Sequence, residues 1–462
     1  MQNEQTEKTE HTERKENKMG YMPIGKLVFS MSLPMIISML VQACYNIIDS
    51  IYISRFSEDA LAAVSYAFPA QNLMIGFATG VGVGVNALLS RSLGEKNYER
   101  ANRSAGNGLL LSSASFLLFL LFGLFGARWF ISFQTKTPAI IDYGTDYLSV
   151  CCCFSFGIFG EVLFERYMQA TGRTLLTMFT QGLGAVCNII LDPVFIFGWF
   201  GLPAMGAKGA AIATVIGQIA AFVLAVILNH FKNPEVQLTK SAFRPEKAVI
   251  GQILEIGVPS ILMMAVGSLM TTGMNKILNK FSDLAVTVFG VYFKLQSFAF
   301  MPVFGLNNGV IPIIAFNYGA RHKKRMLSAV KIGCLAATGF MMLGLLVMQL
   351  LPAQALSLFD ASEEMLEIGV PALRIISISY IFAGICIAIS SVFQALGHGT
   401  YSTIVSVARQ LLILLPVAWL FSLTGKLNMV WLAFPIAEIM SITVTLLLFF
   451  RLYKKVIANL PD

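Results

Sequence analysis

Hydrophobic runs long enough to cross a lipid bilayer recur along almost the whole of this chain of 462 residues. A membrane-spanning helix needs about 20 predominantly apolar residues. Backbone groups inside the bilayer find no water to bond, so each run must satisfy its own backbone by forming a helix. Twelve such runs predict an all-α integral membrane protein, and they lie near Leu27–Ile53, Ala60–Leu89, Gly106–Phe130, Thr145–Ala170, Leu175–Phe200, Gly209–Phe231, Ile250–Leu278, Leu284–Ala315, Leu327–Leu351, Ile368–Ala395, Tyr401–Leu423 and Leu427–Leu452.

The composition agrees with a membrane protein, because 56% of the residues are hydrophobic and only 13% are charged. The net charge of +8 does not indicate nucleic-acid binding, since the basic residues lie between the apolar runs. All seven cysteines fall inside predicted spans without metal-binding spacing, so we expect free thiols. The chain has no Walker A loop and no histidine cluster, and we therefore expect neither an enzyme nor a cofactor or catalytic metal.

Polar segments divide the chain into regions. Residues 1–24 are polar and of mixed charge, which predicts a disordered cytoplasmic tail and not a signal peptide. The longest hydrophilic interior segment, 232–249, separates a predicted N-lobe of six spans (25–231) from a C-lobe of six spans with a short tail (250–462).

Lysine and arginine residues concentrate in alternate loops, which by the positive-inside rule marks one side of the protein as cytoplasmic. Both termini lie on this side, so we expect a multi-pass protein of the cell membrane with two cytoplasmic ends. The basic segments are 91–103, 166–173, 232–247, 321–331 and 451–455.

The two halves repeat their landmarks at a constant offset of 225 residues, from Pro34 to Pro259. The same offset pairs Gln71 with Gln296, Gly80 with Gly305, Gly84 with Gly309, Gly94 with Gly319, and Gln169 with Gln394. Copies of six spans insert in the same orientation, so we expect parallel repeats related by a pseudo-two-fold axis along the membrane normal. Transporters use this design, with the substrate bound between the two lobes.

Carboxyl side chains inside the predicted spans are concentrated in the N-lobe. Asn188 and Asp192 stand four residues apart in span 5 and share one helix face. Tyr45 and Asp49 repeat this spacing in span 1, and Thr214 of span 6 would add a hydroxyl if that span lies beside them. A carboxylate in hydrocarbon costs at least about 2.5–3.5 kcal/mol, so such groups usually face a wet interior and bind or move something.

Either of two coupling cations, H⁺ or Na⁺, would fit this oxygen cluster. Burial disfavours a charged carboxyl, so the cluster could load protons on one side and release them on the other. The same oxygens could instead dehydrate Na⁺, a hard cation, and the residues alone leave both cations open. At the repeat offset, Asp49 corresponds to Met274, and Asn188–Asp192 corresponds to Ile413–Val417, where the sequence has no carboxyl. We therefore expect the N-lobe to bind the cation.

Three further acids are secondary candidates: Glu161 and Glu165 in span 4, and Glu438 in span 12. Each has a structural alternative, since Glu165 could reach Arg166 or the cytoplasmic interface. The Asn188–Asp192 pair could likewise only join helices, and Asp49 could be a solvated helix end.

Several motifs together resemble the multidrug and toxic compound extrusion (MATE) family, in its bacterial multidrug-efflux branch. The motifs are SLP at 32–34, NIIDSIYI at 46–53, SRSLGEKNYERA at 90–101, QATG at 169–172, NIILDPVFIFG at 188–198 and GAAIAT at 209–214. The resemblance covers nearly everything after the tail.

The resemblance implies antiport of amphipathic or cationic drugs against H⁺ or Na⁺ by a V-shaped pair of lobes around a central cavity. It implies a cation site on Tyr45, Asp49, Asn188, Asp192 and Thr214. Some members carry a glutamate along span 7, whereas 261–270 holds no acid here, so we do not expect a C-lobe sodium site of that type. We expect a monomer whose partners are the drug, the cation and the bilayer.

Two alternatives remain. Flippases of lipid-linked oligosaccharides in the wider superfamily share related lobes, but a large anionic head group would favour a cationic cavity. The C-lobe spans offer few bases for it: Lys276, Lys294, Arg374 and Arg409. A membrane receptor or scaffold is the non-transport alternative.

Overall fold

The structure is a computed structural model that describes residues 17–359 and 361–461, apart from the side chain of residue 58. Regular elements in this part of the chain are all helical. Ten helices and two bent helix pairs are long and apolar enough to cross a membrane, which confirms the prediction of twelve spans.

The spans are numbered α1 to α12 in chain order. They are α1 Ile24–Phe56, α2 Glu58–Gly94, α3 Tyr98–Gln134, α4 (Pro138–Cys153 and Phe156–Ala170), α5 Thr174–Phe197, α6 Ala207–Lys232, α7 Lys247–Leu278, α8 Asp283–Gly319, α9 Lys323–Leu350, α10 (Glu363–Ser377 and Tyr380–Ala395), α11 Gly399–Ser422 and α12 Leu427–Ile457.

Backbone irregularities recur between the halves at the offset of 225 residues (Gly172 to Gly397). The two parts of α4 are bent by 45°, and those of α10 by 50°. Left-handed conformations occur at Gly172 (φ 84°) and Gly397 (φ 85°), and at Lys96 (φ 56°) and Arg321 (φ 59°). Because the chain turns in the same way at equivalent points, the predicted duplication into two six-helix lobes is confirmed.

The even-numbered spans all end on one side of the molecule, where α1 also begins. The loops on this side hold most of the lysine and arginine residues, and we call it the basic face. The lobes meet through α1 against α8 and through α2 against α7.

Glycines bring the two backbones into contact near the basic face. A Cβ at Gly94 would overlap the carbonyl of Phe316, and one at Gly319 would overlap the carbonyl of Arg91, its symmetry counterpart. Small residues allow such close approach between helices in a bilayer, where packing and not hydrophobic exclusion drives association.

Some apolar side chains of α2 and α8 are exposed further from the basic face. In α2, Leu89 is fully buried, whereas Phe68 and Leu73, further from that face, are 58% and 42% exposed. In α8, Ile313 is fully buried and Phe298 is 44% exposed. Contact between the lobes reaches at least to Asn72 of α2, whose amide donates to Ser268 of α7 at 3.4 Å. We infer that the V opens beyond this contact, on the side opposite the basic face.

One interface departs from the two-fold relation. In α2, Gly80 lies against Gly257 of α7, so symmetry would place Gly305 of α8 against Ser32 of α1. Ser32 lies instead against Gly309, whereas the counterpart of Gly309 in α2, Gly84, lies against Ile253. The register of α1 on α8 is thus shifted by four residues, or about one helical turn.

The residues before α1 form a short strap across the basic face, at positions 17–22. Asn17 caps the helical turn Lys18–Tyr21. Its Nδ2 donates to the carbonyl of Thr171 at 3.1 Å, and it also donates to the carboxylate of Glu235 at 3.1 Å. These contacts fix the strap to the N-lobe side.

The other side of the strap is held by Arg325 of α9. Its guanidinium donates to the carbonyls of Met19 at 3.1 Å and Met22 at 2.8 Å. Asn317 of α8 also donates to the Met19 carbonyl, and the Met19 side chain is fully buried. The strap therefore bonds both lobes at the face where they meet.

The structure differs from two of the sequence-based predictions, on the N-terminal tail and on Arg166. Residues 17–24 are not the predicted disordered tail, because the strap and the first turn of α1 occupy them, whereas residues 1–16 lie outside the described part. Arg166, counted above among the loop charges, lies within α4 and is buried.

Gly319→Ala should weaken the contact between the lobes, because its Cβ would collide with main-chain atoms of α2. Overpacking of this kind typically costs about 1–3 kcal/mol. The matched control is Gly251→Ala, at a helical glycine with no neighbour for the new Cβ. Thermal unfolding of the purified proteins would test this, and equal melting temperatures would contradict the proposed contact.

Arg325→Gln should release the strap, since it removes donors to the Met19 and Met22 carbonyls. We expect faster hydrogen exchange over residues 17–22. The comparison variant is Lys18→Gln: burial, and secondly the nearby Arg173, lower the pKa of Lys18, so its loss should not loosen the strap. Unchanged exchange in Arg325→Gln would show that the strap is held by other contacts.

Candidate functional site

Asn188 and Asp192 lie on the buried face of α5, as their spacing predicts. Asp192 is fully buried and Asn188 is nearly so. The Asn188 amide donates to Asp192 Oδ1 at 3.2 Å and to Thr214 Oγ1 of α6 at 3.2 Å. The amide thus joins three of the predicted site residues.

Glycines permit this close pairing of α5 and α6. A Cβ at Gly217 of α6 would overlap the carbonyl of Gly184 and lie against Asn188. With no side chain between the helices, Thr214, one turn before Gly217, can reach the Asn188 amide.

Pro193 follows Asp192 directly, and α5 continues through it to Phe197. A proline has no N–H, so the carbonyl of Ile189 loses its helical donor. The proline therefore leaves a carbonyl without its usual helical donor next to Asn188, in the same turn as the carboxyl.

Asp49 of α1 faces Asp192 of α5. The two carboxyls are close enough to share a hydrogen bond, and the Tyr45 hydroxyl is close enough to both to interact with them electrostatically. Tyr45 and Asp49 are half-buried, whereas Asp192 is enclosed. The structure therefore brings all five predicted residues into one cluster at the junction of α1, α5 and α6.

The cluster has more acceptors than donors. Three buried oxygens have no hydrogen-bond donor: Asp49 Oδ1, Asp192 Oδ2 and Asn188 Oδ1. Two adjacent carboxylates in a nonpolar setting repel each other and are poorly solvated. A shared proton or a hard cation such as Na⁺ would relieve both problems, so the residues fit either one.

The two acids of α4 differ in their surroundings. Glu161 points to the cluster: its carboxyl lies beside Gly184 and is within electrostatic reach of Tyr45. Glu165 lies one turn closer to the basic face and accepts hydrogen bonds from Thr180 at 2.6 Å and Gln181 at 2.8 Å.

Arg166 does not take Glu165 as its hydrogen-bond partner. Its guanidinium donates to Gln169 at 2.8 Å and, across the lobe interface, to Asn308 of α8 at 3.0 Å. Glu165 is therefore satisfied within the N-lobe, while Arg166 joins the two lobes.

Glu438 lies in the other lobe and does not join the cluster. Its carboxylate pairs with Arg409 of α11 at 3.2 Å. The C-lobe thus holds an internal ion pair, and Met274, which corresponds to Asp49, is fully buried.

Sequence reasoning missed two neighbours of the cluster. Tyr147 of α4 donates to Gln71 of α2 at 3.2 Å and lies within electrostatic reach of Asp49 and Tyr45. The repeat gives a signal for Gln71, because the equivalent position of the C-lobe is also a glutamine, Gln296. A polar residue kept in both halves of a membrane protein indicates a role beyond packing. Tyr147 carries no comparable signal.

A family model described as MatE matches residues 34–194 and again residues 259–420. The chain belongs to the MatE family. The second match begins 225 residues after the first, which is the offset found within the sequence.

Relatives of this MatE protein span nearly its whole length. The probable multidrug resistance protein YoeA of Bacillus subtilis (strain 168) is 30% identical over 440 residues, covering 92% of this chain and 93% of its own. The multidrug export protein MepA of Staphylococcus haemolyticus (strain JCSC1435) is 26% identical, covering 88% and 89%.

Solved structures share the fold. An outward-facing multidrug resistance MATE family transporter of the MOP superfamily matches with a TM-score of 0.91 at 23% identity, covering 97% of this chain and 100% of that one. A MOP superfamily transporter from Pyrococcus furiosus Vc1 (DSM3638) matches with a TM-score of 0.89 at 24% identity, covering 95% and 98%.

Asn188→Leu should destabilise the protein, because it removes the donor shared by Asp192 and Thr214. A buried acceptor left without its donor costs about 1–3 kcal/mol. Ile190→Leu, at a position of the same helix that is 60% exposed, is the control. Thermal unfolding should separate the two variants, and equal stability would mean that the amide is not a structural link.

Proposed function

We propose that this protein is a secondary multidrug exporter, which exchanges amphipathic or cationic drugs for H⁺ or Na⁺. The observation that carries the proposal is the Asp49–Asp192 pair, with its excess of acceptors, in one lobe only. The family and the names of the relatives, multidrug export and multidrug resistance proteins, support drugs as the substrate class.

Orientation follows from charge. The basic face should be cytoplasmic, since lysine and arginine are retained on that side, and both termini then lie inside. The V then opens to the outside. In alternating access the basic face would open in turn, after the lobes part along α1–α8 and α2–α7.

Helix α1 is suited to couple cation binding to lobe movement. One part of it packs on α5 and carries Asp49 to Asp192, while another part packs on α8 of the other lobe. A cation that enters from outside would neutralise the carboxyl pair and change how α1 sits on α5. Because the same helix forms the lobe interface, this change would reach the contact with α8.

The drug and the cation would then bind different charge states of the carboxyl pair. A cationic drug entering from the cytoplasm favours an ionised carboxyl pair, whereas H⁺ or Na⁺ loaded from outside removes that charge and favours release. Antiport needs only that the two ligands bind mutually exclusive forms of the cluster.

Liposomes would distinguish the two cations. Purified protein, a fluorescent cationic dye and separately imposed H⁺ or Na⁺ gradients suffice. Dye movement driven by H⁺ alone assigns a protonation switch, and a requirement for Na⁺ assigns a metal-ion site.

The flippase alternative finds less support. Of the four bases in the C-lobe spans, Arg409 is already paired with Glu438, which leaves little positive charge for an anionic head group. Dye movement with neither gradient, together with binding of lipid-linked oligosaccharide, would favour it. We propose a monomer, since one chain supplies both lobes of the cavity.

Asp192→Asn should leave membrane expression intact, because the amide keeps the shape of the carboxyl. It should abolish dye export, because the amide does not take up or release a proton and offers Na⁺ no negative charge. Asp142→Asn is the control, since Asp142 lies on the surface and pairs with exposed Arg128. Normal export by Asp192→Asn would overturn the coupling assignment.

A further inference from the structure

A pocket of about 490 Å³ lies on the basic face, between the two lobes. Arg91 and Glu95 from the end of α2 line one side. Tyr318 and Arg321 at the end of α8, with Lys455 of α12, line the other. The volume falls in the range typical of small-molecule sites.

The arginine of the N-lobe side is fixed in place. Arg91 Nε is 2.9 Å from the carboxylate of Glu95, and its guanidinium lies 4.9 Å from the centre of the Tyr318 ring in the other lobe. Glu95 also pairs with Arg100 at 2.9 Å. Among the described residues of the lining, Glu95 is the only carboxylate, and it is paired with two arginines.

The bases of the C-lobe side have no such partner. Within residues 17–359 and 361–461, neither Arg321 nor Lys455 makes an ion pair. Both line the same cavity as Arg91, so the described residues of the lining carry three positive charges against one negative charge. A dianionic or monoanionic group would be stabilised there.

The positive-inside rule accounts for bases on this face but not for their convergence. Symmetry provides the comparison. Lys96 has the charge and the left-handed backbone of Arg321 at the equivalent point of the N-lobe, yet it lines no part of this pocket. The counterparts of Arg91 and Tyr318 are Phe316 and Leu93, so the charged lining occurs once and is not a by-product of the repeat.

We propose that this pocket binds a phosphate-bearing anion, either the headgroup of an anionic lipid or a soluble phosphate compound. Arginine and lysine side chains are suited to phosphate oxygens. Because each lobe supplies part of the lining, the pocket exists only while the lobes touch at the basic face. The anion therefore binds this state selectively and opposes opening of that face.

The binding test uses the full chain with defined probes. We would measure thermal unfolding in phosphatidylcholine nanodiscs, with and without phosphatidylglycerol, and in detergent with and without inorganic pyrophosphate. A rise in melting temperature is expected with at least one probe, and it should shrink at high salt. A rise only with phosphatidylglycerol identifies the lipid, and a rise only with pyrophosphate identifies a soluble ligand.

Matched variants locate the effect. Arg321→Gln and Lys455→Gln should each lose most of the rise, whereas Lys96→Gln and Lys454→Gln, which remove the same charge outside the lining, should keep it. Asp462→Asn tests whether the neighbouring carboxylate in the sequence competes, and a larger rise in that variant would support the site. An absent rise in the unmodified protein, or equal loss in the controls, would overturn the proposal.

Hydrogen exchange tests the consequence for the lobes. Phosphate binding should slow exchange at the end of α8 and in the strap, and Arg321→Gln should remove the slowing. Neither measurement requires transport, so this site can fail while the exporter proposal stands, and the reverse also holds. Slowed exchange that persists in Arg321→Gln would overturn the link between the pocket and the closed face.

Discussion

Contact between bare backbones holds the two lobes together. In a bilayer the lipid tails are as apolar as leucine, so association depends on packing and hydrogen bonds between helices. Gly94 and Gly319 bring main chains together at the basic face, and Arg166 adds a hydrogen bond to Asn308 across the same interface. The strap adds hydrogen bonds to both lobes at the same closed end.

A symmetric scaffold carries an asymmetric distribution of charge. In the N-lobe, Glu161 lies beside Gly184, and within the described residues Asp49, Asp192 and Glu161 make no ion pair. The C-lobe has Arg409 at the position that corresponds to Gly184, within a π-helical segment of α11, and pairs it with Glu438. A carboxylate already held by a guanidinium is less free to exchange cations, which supports the proposal that the N-lobe carries the coupling site.

Local patterns predicted more than distant ones. The spacing of Asn188 and Asp192 predicted a shared face because four residues make one turn, and the constant offset between Pro34 and Pro259 predicted the two lobes. The partner of Arg166 lies 142 residues away, and no periodicity indicates it. The strap escaped prediction because Arg325 binds its main-chain carbonyls, which composition does not encode. The roles of the site residues remain predictions.

The shifted register of α1 on α8 has a consequence for the carboxyl pair. Ser32 and Asp49 belong to one continuous helix. Because Ser32 meets Gly309 in place of Gly305, Asp49 is also displaced relative to α8 by about one helical turn. Sliding α1 back into the two-fold register would move Asp49 past Asp192 by roughly 5.4 Å, the pitch of a helix. The separation of the two carboxyls would then change with the alignment of the lobes if α1 slides alone, and would stay constant if the whole N-lobe moves with it.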